Sequence, residues 1–274
     1  MKQRLISSAV GLLLFGIVLC FLESWFFNLA VAIVSVIAVW ELNRAIFKGD
    51  CRSFGAICCI PAALLLFFKT FKSYLIPVGF VLLLLVCICL LLGRKVVTVQ
   101  KGLFVFGASL GLSFSFFSLV CLRDILPEKS RLLGILLVFA SAWLTDTFAY
   151  LVGISVGKHK FVPDVSPKKT GEGVIGGVWG SVICGVVTYF CFGKACELPK
   201  IGILNLIVFL LVSSGLAVFG DLFASLVKRQ SNIKDFGAIM PGHGGALDRL
   251  DSLVFVAPYF YLVARVVNCG RFLF

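Results

Sequence analysis

Charged residues are scarce in this sequence. Asp, Glu, Lys and Arg together make up only 14% of the 274 residues, whereas 60% are hydrophobic and the mean hydropathy is +1.09. So low a charge content excludes the soluble globular class. The apolar runs are continuous, without the alternating segments of about 10 residues that indicate a membrane β-barrel. The sequence therefore predicts an all-α, polytopic integral membrane protein.

Cysteine patterns typical of metal centres are also missing. The 11 cysteines include no CxxC pair, and Cys87 and Cys89 are separated by a single residue, which is too close for a zinc site. Most cysteines lie within apolar runs, where they behave as small hydrophobic residues. Neither a disulfide framework nor a zinc centre is therefore expected.

Soluble domains, low-complexity tracts and internal repeats are absent as well. We therefore expect one membrane-embedded catalytic domain over residues 1–274. Its N-terminal helices would cover 1–131 and its motif-bearing core 132–267. The N-terminal part is mostly apolar and yields no candidate site residue.

The hydrophobic runs predict roughly nine transmembrane helices, because one span takes about 20 apolar residues. The first run follows Lys2 and Arg4, and no small-residue cleavage motif comes after it. We therefore expect a retained span rather than a signal peptide. The predicted spans are 5–21, 25–39, 54–68, 75–93, 102–121, 132–153, 173–193, 201–219 and 252–267.

The distribution of basic residues favours a cytoplasmic N-terminus. With the N-terminus inside and the helices alternating, most of the 25 Lys and Arg residues fall in cytoplasmic segments. The net charge of +12 is spread over short loops, which indicates membrane topology and anionic lipid rather than nucleic acid. The two long polar loops, 154–172 and 222–250, then face the cytoplasm, where nucleotides are found. We expect a protein of the cytoplasmic (inner) membrane.

One C-terminal stretch concentrates charge in this apolar chain. Asp221, Ser225 and Lys228 share one face of a predicted helix, and Asp248 and Asp251 share a face of another. A carboxylate near the bilayer centre costs about 2.5–3.5 kcal/mol on insertion scales, so such residues are normally kept for function. We interpret this stretch as a catalytic site.

A polar loop with several glycines lies between these acidic residues. It carries Arg229 and Lys234, followed by Gly242-His243-Gly244-Gly245, whose backbone can turn its N–H groups toward an anion. Carboxylates beside such a loop suit Mg²⁺, which prefers one or two carboxylates together with phosphate oxygens and water. The alternative is a structural network in which the acids pair with Lys228, Arg229 and Arg249.

A second group of polar residues lies upstream. Asp146 falls within an apolar span, with Trp143 and Tyr150 on the same helix face. The segment Ser166-Pro-Lys168-Lys169-Thr170 then opens into a glycine-rich helix start, which predicts a phosphate-binding loop. Alternatively, Asp146 is a structural carboxylate bonded to a neighbouring helix, and the lysines only mark the cytoplasmic side.

The two histidines receive different interpretations. A lone histidine such as His243 can carry a proton, donate to a phosphate or bond within its own loop, and we favour the phosphate contact. His159 lies on a basic loop and is interpreted as a solvated residue.

The C-terminal motif is long and specific. It reads Ser225-x-x-Lys228-Arg229-x4-Lys234-Asp235-x-Gly237 and continues as Pro241-x-His243-Gly244-Gly245-x-x-Asp248-Arg249-x-Asp251. This pattern resembles the signature of phosphatidate cytidylyltransferases (CDP-diacylglycerol synthases). The upstream segments W-x-x-D-x-x-A-Y and S-P-K-K-T-x-E-G also resemble that family, so the resemblance covers about residues 140–255.

Three residues depart from the family pattern. Met240 stands where Leu, Ile or Phe is usual, a volume-conserving change. Gly171 replaces a bulkier residue, and Ile154 stands where an Arg is common. The last change takes a cation away from that position.

The resemblance implies cytidylyl transfer from CTP to phosphatidate, giving CDP-diacylglycerol and pyrophosphate. It implies Mg²⁺ together with a monovalent cation such as K⁺, and a homodimer. Asp221 and Asp248 would bind the metal, with Asp251 as a third ligand or beside them, and Lys228 and Asp146 would join them in catalysis. The implied substrate and phosphate contacts are Ser166, Lys168, Lys169, Ser225, Arg229, Lys234, His243, Gly244, Gly245 and Arg249.

Two other functions are compatible with part of the pattern. Intramembrane Asp residues also mark ion pathways in transporters, although no inverted repeat is visible here. A CTP-dependent kinase of a membrane lipid alcohol would need similar phosphate-binding residues. Product analysis separates the two enzymes, because a nucleotidyltransferase leaves the cytidine on the lipid whereas a kinase releases CDP.

Overall fold

The structure of the protein is a computed structural model that describes residues 2–48, 52–64, 75–92, 98–196, 198, 201–239 and 244–268. The described part of the chain is almost entirely helical, which confirms the predicted all-α class. It divides into two compact units. Unit 1 consists of Met1–Phe117 and Ser231–Arg249, and unit 2 of Ser118–Gln230 and Leu250–Phe274.

Unit 1 is built on apolar helices from the N-terminal part. Helix α2 begins after Ser24, ends at Lys48 in a left-handed conformation (φ 51°), and buries Val39 and Ala38 completely. It packs against α1 and α3, and α3 packs against α4. The helices of this part are α1 (Lys2–Cys20), α2 (Trp25–Phe47), α3 (Arg52–Ala63), α4 (Leu75–Leu92) and the start of α5 (Val99–Ile125).

Unit 2 is a bundle of long helices with one β-hairpin. Its helices α6 (Glu128–Val156), α7 (Gly171–Phe192), α8 (Ile203–Gln230) and α10 (Leu253–Asn268) pack against one another. Helices α6 and α7 approach closely at Gly177, where an added Cβ would lie 2.6 Å from the Thr145 carbonyl oxygen. The short helix α9 (Leu247–Leu250) precedes α10 in the chain.

The hairpin lies between α6 and α7, where the sequence indicates only a polar loop. Strand β1 (Lys160–Val162) pairs antiparallel with β2 (Ser166–Thr170). Thr170 ends β2 and caps α7, because its hydroxyl oxygen accepts the N–H of Gly173 at 3.2 Å. The lysines of the SPKKT segment therefore lie on a strand that leads directly into a helix.

Five described helices are long and apolar enough to cross a membrane, by length and composition: α2, α5, α6, α7 and α8. Shorter apolar stretches lie at Ser7–Cys20, Ser53–Ala63, Val81–Leu90 and Leu253–Val267. Each of the nine predicted spans overlaps one of these helices. Large apolar side chains also face outward, such as Leu204, which is 71% exposed, as expected of a surface in contact with lipid. The prediction of a polytopic membrane protein is confirmed.

Two helices continue well past the predicted ends of their spans. Helix α2 runs to Phe47 rather than residue 39, and α8 runs to Gln230 rather than 219. In both, apolar side chains give way to polar ones while the helix itself continues. Glu41 therefore lies on a helix, beyond the predicted span. Asp221, Ser225 and Lys228 also lie on one helix, as predicted.

Candidate active site

Three carboxylates of unit 2 are held near one another: Asp146, Asp221 and Asp251. We call them the acidic cluster. The hydroxyl of Ser252 donates to Asp146 Oδ2 at 2.9 Å, and its backbone N–H donates to Asp251 Oδ1 at 2.8 Å. Ser252 therefore fixes two of the three carboxylates, one on α6 and one just before α10.

Close backbone packing brings the third carboxylate to the cluster. A Cβ added to Gly220 of α8 would lie 2.6 Å from the carbonyl oxygen of Asp251 and 3.0 Å from the Cα of Ser252. Only a glycine lets α8 approach the 251–252 segment this closely. Asp221, the next residue of α8, is thereby placed beside the other two acids.

Basic side chains offset only part of the negative charge. Lys169, on β2, forms an ion pair with Asp221. Burial of Asp251, which is 8% exposed, raises the pKa of that carboxyl, and the Asp221 charge raises it further, whereas Lys228 lowers it. The cluster is therefore a place where an additional cation would be stabilised.

The hairpin presents its two lysines differently. Successive residues of a strand point to opposite faces, and accordingly Lys168 is exposed whereas Lys169 is half-buried against Asp221. Arg229 Nε donates to the carbonyl oxygen of Val165, in the turn between the two strands, at 3.3 Å. The end of α8 is thus bonded to the hairpin.

His159 has a partner rather than a purely solvated side chain. Its Nδ1 lies 2.6 Å from Glu172 Oε1, although the imidazole is 85% exposed. The backbone N–H groups of Lys158 and His159 also donate to Glu172. This contact joins the start of the hairpin to the first turn of α7 and gives His159 a structural role.

In unit 1, Asp248 organises the end of the signature segment. Its Oδ2 accepts the backbone N–H groups of Phe236 and Gly245, each at 2.9 Å. Gly244 has a φ of +88°, a conformation that residues with a side chain rarely adopt, so glycine is required there. The Asp248 carboxylate therefore holds the backbone at Gly245, next to the left-handed Gly244.

The predicted site residues are divided between the two units. Unit 1 contains Lys234, Gly244, Gly245, Asp248 and Arg249. His243 lies outside the described residues. Of the predicted residues in unit 2, Lys169 and Lys228 interact with the acidic cluster. The remaining predicted residues of unit 2 are Ser166, Lys168, Ser225 and Arg229.

Two polar residues that contact the predicted site were not found from the sequence. Ser252 follows the signature directly and bonds to Asp146 and Asp251. Glu41, on α2, accepts N–H groups of the signature segment. A lone acidic residue at the end of an apolar helix is the signal that would have identified Glu41.

The acidic cluster has the donor chemistry that suits a hard divalent cation. Carboxylate oxygens are the ligands that Mg²⁺ prefers, and crowding of three acids makes added positive charge favourable. Among the described residues, no group of three or more His, Cys, Asp or Glu is arranged to hold a metal ion by itself.

Comparison with known proteins identifies the family. Residues 2–267 match the profile of the cytidylyltransferase family. The chain belongs to this family. A phosphatidate cytidylyltransferase of Synechocystis sp. is 31% identical over 285 aligned positions, covering 94% of both chains. The predicted resemblance is therefore confirmed.

Other cytidylyltransferases of the same name match a shorter region more closely. The phosphatidate cytidylyltransferase of Thermotoga maritima is 40% identical over 136 residues, and that of Aquifex aeolicus is 44% identical over 138. In these two alignments the chain spans about half the length of the relatives, 49% in each case.

Proposed function

We infer that this protein transfers the cytidylyl group of CTP to phosphatidate and forms CDP-diacylglycerol and pyrophosphate. The observation that carries this function is the acidic cluster with Lys169 and Lys228 beside it, in a chain of the cytidylyltransferase family. The apolar helices agree with a lipid substrate, because phosphatidate reaches the enzyme from the membrane.

The chemistry of the acceptor explains which groups the site needs. The second pKa of a phosphate monoester is about 6, so phosphatidate is largely a dianion at neutral pH. One of its oxygens attacks the α-phosphorus of CTP, a new P–O bond forms, and the bond to the β-phosphate oxygen breaks with release of pyrophosphate. No proton has to leave the attacking oxygen, so a general base is not required.

The task left to the protein is to bring two polyanions together and to offset their charge. Lys169 and Lys228 are suited to binding phosphate oxygens near the acidic cluster. We propose that Ser166, Lys168, Ser225, Arg229 and Lys234 bind the phosphates or the lipid head group. The assignments of His243, Gly244, Gly245 and Arg249 to substrate contacts remain predictions from the motif.

We propose Mg²⁺, with K⁺ beside it, as the cofactor, with Asp221 and Asp251 of the acidic cluster among its ligands. The assignment of Asp248 as a metal ligand remains a prediction from the motif. When bound, Mg²⁺ would neutralise charge on the phosphates. Asp146 would hold Ser252 and, through it, Asp251. This proposal is supported by the crowding of carboxylates in unit 2 and by the oxygen chemistry of the side chains.

Orientation and assembly are separate proposals. The excess of basic residues in alternate loops supports a cytoplasmic N-terminus, with the hairpin and residues 222–250 on the same side of an inner membrane. A homodimer is proposed from the family resemblance alone.

The first experiment is an assay with purified protein in detergent, CTP labelled in the cytosine ring, phosphatidate and Mg²⁺, with and without EDTA. We expect label in the lipid phase only when phosphatidate and metal are both present, together with release of pyrophosphate. Labelled CDP without lipid label would indicate a kinase and contradict the proposal. Nucleotide-independent uptake in proteoliposomes, with no lipid label, would indicate a transporter.

A further inference from the structure

Glu41 is a buried carboxylate on α2, far in sequence from the signature motif. The residue is only 3% exposed to solvent. Its Oε1 accepts the backbone N–H of Ala246 at 3.1 Å, and its Oε2 accepts that of Leu247 at 2.9 Å. Both donors belong to unit 1, as Glu41 does. Each oxygen of the carboxylate therefore has its own donor in the segment that leads to Asp248.

Two glycines of the signature make room for this carboxylate. A Cβ added to Gly237 or to Gly245 would collide with the carboxyl group of Glu41. Their φ values do not lie in the left-handed region, so backbone freedom does not explain the absence of a side chain. The space that a side chain would need at these two positions is filled by Glu41.

Three successive N–H groups of the signature segment therefore bind carboxylates. That of Gly245 donates to Asp248, and those of Ala246 and Leu247 donate to Glu41. Hydrogen bonds to an ionised acceptor are about twice as strong as neutral ones. The backbone just before Asp248 is thus held by two carboxylates, that of Asp248 itself at Gly245 and that of Glu41 at Ala246 and Leu247.

We propose that Glu41 is a positioning residue for the transferase reaction, which orients residues 244–248 and through them the Asp248 carboxylate. The inference rests on the proposed function. Glu41 acts through the backbone of Ala246 and Leu247 and not by contact with the substrate. The N-terminal helices therefore contribute directly to the geometry of the catalytic motif.

The test compares three substitutions of Glu41. Glu41→Ala removes both acceptors, Glu41→Asp keeps the charge but shortens the reach by one methylene, and Glu41→Gln keeps the length but presents one N–H₂ group to a donor. We expect kcat to fall by about 10- to 100-fold in Glu41→Ala, because a small displacement of a catalytic group causes losses of this size. The loss in Glu41→Gln should be smaller. Glu41→Asp should also lose activity, because geometry rather than charge is required.

A second readout does not depend on activity. Hydrogen–deuterium exchange of the peptide containing Ala246 and Leu247 should become faster in Glu41→Ala, while the exchange of α6–α8 peptides stays unchanged. Val39→Ala is the matched structural control, because Val39 is fully buried on the same helix and its side chain carries no hydrogen-bonding group. It should lower the thermal midpoint without faster exchange at 246–247. Glu128→Gln makes the same chemical change at an exposed position and should behave like the parent protein.

Two results would overturn the proposal. One is unchanged exchange at Ala246 and Leu247 in Glu41→Ala. The other is a lowered thermal midpoint with kcat per folded molecule equal to that of the parent. Failure of the proposed function looks different, because the parent protein itself would then not label lipid, whatever the exchange data show.

Discussion

Asp248 holds two backbone N–H groups with a single carboxylate oxygen, and this suggests a way to separate its roles. Asp248→Asn keeps an oxygen that can accept from Phe236 and Gly245 but removes the charge. We expect kcat/KM to fall by at least about 100-fold, or roughly 3 kcal/mol, with the folded protein retained. Asp248→Ala releases both donors, so it should in addition lose about 1–3 kcal/mol of stability. Activity assays and thermal unfolding in detergent compare the Asn and Ala variants. Full activity of Asp248→Asn would contradict a charge-dependent role for Asp248.

Ser252 gives a second prediction at the residue scale. Its hydroxyl donates to Asp146, and hydrogen bonds to charged groups contribute about 1.5–3 kcal/mol. Ser252→Ala should therefore lower kcat about ten-fold, whereas Ser252→Thr keeps a hydroxyl and should recover part of the activity. Ser155→Ala is the control, because the exposed Ser155 hydroxyl donates to the Leu151 carbonyl oxygen of its own helix. Equal activities of the Ser252→Ala and Ser155→Ala variants would show that Ser252 does not organise the cluster.

At the scale of elements, the close packing of α6 and α7 affects both parts of the candidate site. Helix α6 carries Asp146, and α7 follows directly after the strand that carries Lys169. A Cβ at Gly177 would lie 2.8 Å from Ala149 Cβ and 2.6 Å from the carbonyl oxygen of Thr145. Gly177→Ala should force the helices apart at a cost of about 1–3 kcal/mol and lower activity as well. Thermal unfolding of the purified protein measures the loss.

Gly215 is the matched position for that experiment. It is an exposed glycine in the interior of α8, and nothing lies within 4 Å of an added Cβ. Gly215→Ala should leave stability unchanged or raise it by up to about 1 kcal/mol through helix propensity. A similar loss of stability in both variants would mean that the effect arises at any helical glycine and is not specific to the α6–α7 contact.

The elements also show what the sequence could predict. Runs of apolar residues predicted nine spans, and each overlaps a described apolar helix, because hydropathy reports directly on the lipid environment. Five of these helices are long and apolar enough to cross a membrane. Hydropathy does not report where a helix ends, so Glu41 and the last turns of α8 fell outside the predicted spans. The β1–β2 hairpin was missed because SPKKT has the composition of a loop, and its pairing depends on contacts between strands.

The sequence could predict candidate site residues whose type alone suggests a function, such as acids in an apolar chain. The cost of unpaired charge in lipid led to the prediction of Asp146, Asp221 and Asp251 as site residues, and the structure holds these three carboxylates near one another. Ser252 bonds to Asp146, and Glu41 bonds to Ala246 and Leu247. These partners are distant in sequence, so no local pattern encodes the contacts, although a lone acid in an apolar helix marks Glu41 itself. Sequence spacing suggested N–H groups pointing at phosphate, whereas those of Gly245, Ala246 and Leu247 donate to carboxylates. The substrate contact proposed for Gly245 remains a prediction.

At the scale of the whole molecule, the proposed orientation can be tested at the hairpin turn. Asp164 is exposed between β1 and β2, so Asp164→Cys offers an accessible thiol. A membrane-impermeant maleimide should label this variant in inside-out vesicles and not in intact cells, with the parent protein setting the background from its native cysteines. Labelling of intact cells would reverse the proposed topology.

The contact of Glu41 also has a consequence for folding during synthesis, because Glu41 and its two donors are made at different times. Glu41 and its two donors are 205 and 206 residues apart. At about 5–20 residues per second, the ribosome needs about 10–40 s to make the intervening chain. During that interval α2 carries a carboxylate at the end of an apolar helix before Ala246 and Leu247 exist. Nascent chains that stop short of residue 246 should therefore depend on insertion and quality-control machinery, because Glu41 has to wait for a segment made about 200 residues later to supply its hydrogen-bond donors.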